Sequence, residues 1–152
     1  MNVALKRFVL VLALASLAPF ASAADNKRPI TAQDLWAVKR VGAPALSPDG
    51  KWVAYSLRDT DLAANKGRTD LWLIAVDGGT PRRLTSDPAS DTSPAWSPDG
   101  AYVYFSSTRG GSSQVWRIAI AGGEAEAVTQ VPLDVNGFRL FPDGKRLLLA
   151  ID

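Results

Sequence analysis

"PAWSPDGAYVYFSS" (94–107) sets a tight turn, Ser97-Pro98-Asp99-Gly100, directly against an aromatic strand. The phrase stands 50 residues earlier as "PALSPDGKWVAYSL" (44–57) and returns as "LFPDGKRLLLA" (140–150). Each turn residue has a local backbone reason. Proline at the second place presets φ, aspartate fits the third, and glycine at the fourth accepts positive φ so that a strand can begin. The serine hydroxyl can bond the turn backbone; Phe141 replaces it in the third copy, so it helps without being required. The turns read as structural punctuation rather than as sites.

The likeness extends well beyond the turn. "DLWLIAVDGGTPRRLT" (70–85) matches "QVWRIAIAGGEAEAVT" (114–129) at an offset of 44. Thr85 precedes Ser97 by 12 residues, as Thr129 precedes Phe141. The first two turns are 50 apart, the six extra residues falling in "LRDTDLAANKGRT" (57–69), which reads as an inserted loop. A constant period with one insertion marks a structural repeat.

Each unit reads as four short strands: one before the turn (Ala45-Leu46 or Ala95-Trp96), one after it, one carrying Trp72 or Trp116, and one ending in Thr85 or Thr129. In the second strand Tyr102 and Tyr104 face one way, Val103 and Phe105 the other. Both faces are apolar, as in a sheet held between two neighbouring sheets. Four strands every 40–50 residues define a β-propeller blade. A β-sandwich is also all-β, but it needs no similar units at fixed offset. The expected fold is therefore an all-β, partial β-propeller of about two and a half four-stranded blades.

The expected organisation is a signal peptide at 1–23, a linker and short helix at 24–42, and an incomplete propeller at 43–152. Blade 1 covers about 43–85, blade 2 about 92–129, and a partial blade 3 about 135–152. The leader has Lys6 and Arg7, an apolar run from Phe8 to Phe20, and a small-residue cleavage site at Ala21-Ser22-Ala23. That run is shorter than a bilayer span, so the expected product is exported, periplasmic or secreted, with no membrane span after cleavage. In "RPITAQDLWAVKRVG" (28–42), Thr31 reads as an N-cap with Asp34 three residues on, and Leu35, Val38 and Val41 share one side. Four blades of 44 residues need about 176, so the ring is expected to be completed by further chain.

Composition excludes more than it assigns. Removing the 23-residue leader from 152 leaves 129 residues carrying 15 Lys+Arg against 15 Asp+Glu, and no basic run beyond Arg82-Arg83, so no nucleic-acid partner is expected. With 0 His and 0 Cys, neither a Ser-His-Asp nor a Cys-His arrangement can be built here, and His/Cys metal ligands are missing. No G-x-S-x-G elbow occurs. No catalytic, cofactor-binding or metal residue is assigned, and no cofactor. Asp59 and Asp61 in the insertion are a weak calcium signal, Asp87 and Asp91 read as turn formers, and Arg109 as a solvated loop charge. Trp72 and Trp116, at equivalent places, read as inter-sheet core; Trp36 lies outside the repeat and stays open.

The SPDG turns with "LWLIAVDGG…LT" resemble the WD-like propeller repeats of exported bacterial proteins, found in the prolyl oligopeptidase family of serine peptidases (acylaminoacyl- and dipeptidyl-peptidase-like members included) and in TolB. The opening "ITAQDLWAVKRVGAPALSPDGKWVAYSL" (30–57), a short helix running into the first blade, resembles the peptidases, since TolB-like proteins place an α/β domain ahead of the propeller. That resemblance implies a propeller restricting access of short peptides to a downstream α/β-hydrolase domain that holds the catalytic residues. A TolB-like protein-binding module is the alternative.

Overall fold

The computed structural model describes residues 28–152. The expected signal peptide at 1–23 lies outside the described residues. Helix α1 (Ala32–Ala37) is followed by eleven strands: β1 (Arg40–Val41), β2 (Ala45–Leu46), β3 (Trp52–Asp61), β4 (Lys66–Ala75), β5 (Arg82–Arg83), β6 (Asp91–Trp96), β7 (Tyr102–Ser107), β8 (Gln114–Ala119), β9 (Glu126–Ala127), β10 (Val135–Leu140) and β11 (Leu147–Ile151). They form three antiparallel sheets, each a run of neighbours in sequence: β1 and β2 with β3-β4-β5, then β6-β7-β8-β9, then β10-β11. The fold is all-β, a partial propeller.

The three turns are built alike. Gly50, Gly100 and Gly144 have φ of 71°, 71° and 66°, and each amide donates to the carbonyl three residues back at 2.9 Å. Ser47 Oγ accepts from the Trp52 amide (2.9 Å) and donates to Asp49 Oδ1 (2.6 Å); Ser97 does the same with Tyr102 (2.9 Å) and Asp99 (2.5 Å). The serine bond is the main reason the Asp49 and Asp99 carboxyls lie below the usual carboxylate range. Consecutive turns also touch: a Cβ on Gly144 would meet Pro98 Cδ at 3.2 Å.

The inner strand breaks where a proline recurs. Pro44 separates β1 from β2, and at the equivalent Pro94 the β6–β7 register shifts, with Ser93 held at φ 56°. Proline has no N–H for the ladder. The first sheet thus starts pairing at Arg40, ahead of residue 43. This shortens the helix: Val38 is its extended C-cap, and Val41 pairs with Leu57 instead of continuing a helical side. The fourth strands are also shorter than expected. Leu84 and Thr85 both donate to the Leu71 carbonyl (2.7 and 3.3 Å), while Thr85 Oγ1 accepts from the Leu71 amide (3.0 Å). Val128, Thr129 and Val115 repeat the arrangement.

The insertion is not a loop. β3 and β4 pair without interruption from Trp52↔Ala75 to Asp61↔Lys66, whereas the equivalent pairing in the second sheet stops at Ser107↔Gln114. Four further pairs project the first hairpin by about 13 Å at the usual rise per residue. The added residues carry opposite charges across the strands, Asp59 facing Arg68 and Asp61 facing Lys66, which suits an exposed ladder.

The sheets stack through two cores. Ala54, Leu71, Leu73 and Leu84 meet Val103, Phe105 and Ile118 between the first and second. Tyr104 and Val115 meet Val135, Phe138 and Leu149 between the second and third. Trp96 Nε1 donates across the first junction to the Ala45 carbonyl (2.8 Å). The two repeat tryptophans part company here. Trp116 packs against the first core, but Trp72 alternates with the buried Leu71 and Leu73 and so faces away from the second sheet; both are half-buried. Each such tryptophan points to the preceding sheet, and the first sheet has none among the described residues.

Candidate functional site

The first strands of the three sheets contribute to one cleft of about 820 Å³, with Pro44, Pro94, Trp96, Phe138, Arg139 and Leu140 among its walls. Arg139 is the single ionisable group lining it. The walls offer shape, apolar surface and one positive charge.

The charged residues singled out in the sequence fall into two clusters. Asp91 is not a turn former. It is fully buried in β6, and its Oδ2 accepts from Arg109 Nη2 at 2.6 Å. Arg109 is not solvated either: its side chain is 12% exposed, its Nε donates to Ser107 Oγ (3.1 Å), and its guanidinium lies over Phe105 (5.2 Å) and Trp116 (5.1 Å). The Thr108–Gly111 turn, closed by a 2.9 Å bond, folds the chain back so that a residue past the strand end reaches its base. Asp91 and Arg109 are 18 apart, with no local signal joining them. Asp87 does shape a turn, accepting from the Ala89 amide (2.8 Å).

The second cluster flanks the long hairpin. Asp59 pairs with Lys39 (2.9 Å), chiefly for which reason its carboxyl lies below the usual range. Asp61 accepts from the Ala64 amide (3.0 Å) at the hairpin tip. Among the described residues, no group of three or more metal-ligating side chains occurs. Arg83, on the exposed β5, bonds Asp70 (2.5 Å), and Arg82 reaches the Ile120 carbonyl of the next sheet. Asp70 and Arg68, which bonds the Ser86 carbonyl, hold the exit from the first sheet. Gln114, at the place of Asp70, holds the next exit, with its amide N–H groups on the Val131 and Leu133 carbonyls (3.0 and 3.1 Å). Sequence reading missed this role for Gln114; its alignment with Asp70 was the available signal.

Antiparallel sheets that repeat one strand order and stack by their faces, with their first segments around a shared cleft, define the β-propeller class. The chain belongs to the TolB beta propeller domain family, whose pattern matches residues 33–151. It is 40% identical over 123 residues to dipeptidyl-peptidase 5 of Porphyromonas gingivalis, covering 81% of this chain and 18% of that protein. It is 31% identical over 126 residues to the uncharacterized peptidase YuxL of Bacillus subtilis, covering 82% and 19%. The chain thus spans about a fifth of the length of the curated relatives it matches. Among solved structures, a protein assigned as TolB from Agrobacterium tumefaciens superposes with TM-score 0.59 at 27% identity, over 71% of this chain and 37% of that one. An acylaminoacyl peptidase from Pyrococcus horikoshii gives 0.62 at 20% identity, over 76% and 18%, a likeness of fold.

Proposed function

We propose that this chain is the propeller of an exported serine peptidase of the prolyl oligopeptidase family, admitting short peptides to an α/β-hydrolase domain downstream. The observation that carries this reading is the 40% identity to dipeptidyl-peptidase 5. The cleft supports it with apolar walls and one positive charge at Arg139, the kind of surface a short peptide can lie against. Export rests on the leader at 1–23, and among the described residues no helix is long and apolar enough to cross a membrane. A second reading, a TolB-like periplasmic module that binds protein partners, is favoured by the 27% identity to the Agrobacterium protein.

The test is the product of the whole reading frame, assayed on dipeptidyl-4-nitroanilides and on native ribonuclease A. The peptidase reading expects a G-x-S-x-G motif beyond Asp152, turnover of the short substrates and sparing of the folded protein. A frame without that motif, or a pure product inert on every short peptide, overturns it in favour of the binding module.

A further inference from the structure

The strands that lead into the three turns are equivalent, and one position among them breaks the pattern. Two residues ahead of the turns stand Ala45, Ala95 and Arg139. β2 and β6 thus reach their turns on a small apolar side chain, whereas β10 carries a guanidinium on a long stem. Nothing local asks for it. The turn that follows closes like the other two, with the Gly144 amide donating to the Phe141 carbonyl at 2.9 Å. The β10–β11 ladder runs through Arg139↔Leu148 without a break. An arginine that its own blade does not need is a candidate for work outside the blade.

Its surroundings say what that work is. Phe138 and Leu140, its neighbours along β10, pack toward the second sheet, so Arg139 leaves the third sheet by the other face and is exposed. Arg83, Arg109, Arg117 and Arg146 each hold a carboxylate of their own blade. Arg139 has no ion-pair partner among the described residues. It is instead the one ionisable group on the walls of the 820 Å³ cleft. Apolar surface cannot close over an unpaired guanidinium without a large cost, so its head stays in the cleft.

We propose that Arg139 is a specificity residue of the cleft, binding the free C-terminal carboxylate of a short peptide whose chain lies against Pro44, Pro94 and Leu140. The proposal deepens the peptidase reading above and rests on it. Charge complementarity selects this occupant. The walls carry one cation and no acid, and a free carboxylate is the negative charge that every unblocked peptide has at one end, whatever its sequence. An acidic side chain offers the same group only where the sequence supplies one. The planar guanidinium matches a carboxylate through two parallel N–H···O bonds and stays charged throughout the working pH range. The contact also favours peptides over proteins, since a long chain has many residues for each free terminus.

The experiment titrates short alanine peptides, N-methylated at their amides against cleavage, into the product of the whole reading frame and follows binding by calorimetry. Each peptide is made as the free acid and as the C-terminal amide. Wild type should hold the acid roughly fivefold tighter, the upper range for a charge pair in contact with water, and the gap should narrow as salt rises. Arg139→Ala installs the residue that the other two blades already carry, so the fold should tolerate it, and it should hold acid and amide alike. Arg139→Lys keeps the charge without the fork and should retain part of the preference. An acid no tighter than its amide, a gap that survives Arg139→Ala, or a preference that follows an internal glutamate rather than the terminus overturns the assignment. Dipeptidyl-nitroanilide turnover is read separately on the wild-type protein. Turnover without the acid preference sinks the carboxylate site alone; the preference without turnover sinks the peptidase reading alone.

Discussion

Replacing Arg109 by methionine strands a carboxylate. Asp91 is 0% exposed, its Oδ1 has no partner, and its Oδ2 has Arg109 at 2.6 Å. Methionine keeps a flexible apolar stem to lie against Phe105 and Trp116, so packing changes little and the charge is what is lost. Breaking a buried pair from one side costs about 3–5 kcal/mol, which in a domain of this size lowers Tm by roughly 10 °C or more. Asp91→Val should cost less, because Arg109 keeps partial access to water and the repeat already has Val41 at the equivalent position. The double variant removes both charges and should recover most of the loss. Thermal and urea unfolding followed by tryptophan fluorescence, on wild type and the three variants, closes the cycle. If Arg109→Met falls within about 1 kcal/mol of wild type, or the two changes simply add, the pair is not the buried staple described.

The turns give further expectations. Gly144→Ala should destabilise more than Gly50→Ala: both demand positive φ, but the added Cβ meets Pro98 at 3.2 Å in the first case and nothing within 4 Å in the second; paired denaturation curves decide. Thr85→Val keeps the shape and removes the acceptor of the Leu71 amide, costing about 1–3 kcal/mol, with faster hydrogen exchange at that amide as its signature. Asp99, held below its ordinary 3.8 first by Ser97, contributes stability that is complete above that value and lost as pH falls through the lowered one. Ser97→Ala should therefore flatten the fall of Tm below about pH 4.

The sequence disclosed what repeats and what is local. SPDG and the two residues after it settle their φ values and hydrogen bonds among themselves, so reading the turn needs no knowledge of the rest of the chain. The same holds for the Thr31–Asp34 box. Partnerships across the fold carried no such mark. Arg109 looked solvated because glycines and serines surround it, and only the folded turn shows it reaching Asp91. The insertion looked like a loop because its residues are polar, yet alternating charge across two strands is what an exposed ladder requires.

The tryptophans show where local reading must stop. Trp72 and Trp116 hold the same place in the repeat, the same strand and the same register to the strand after it, facing Arg83 and Ala127 respectively. Both are half-buried, but one packs against a core and the other faces outward. Nothing in either repeat decides this; the number of sheets on the far side does. In a stacked architecture what a residue packs against belongs to its blade's place in the series, since each blade contacts its neighbours alone. A repeat therefore tells which face is made to be covered before it tells whether it is. By that argument the face carrying Val53, Tyr55, Trp72 and Ile74 is built for another sheet, one presenting small aliphatic side chains like the Ala54, Leu71 and Leu73 that receive blade 2.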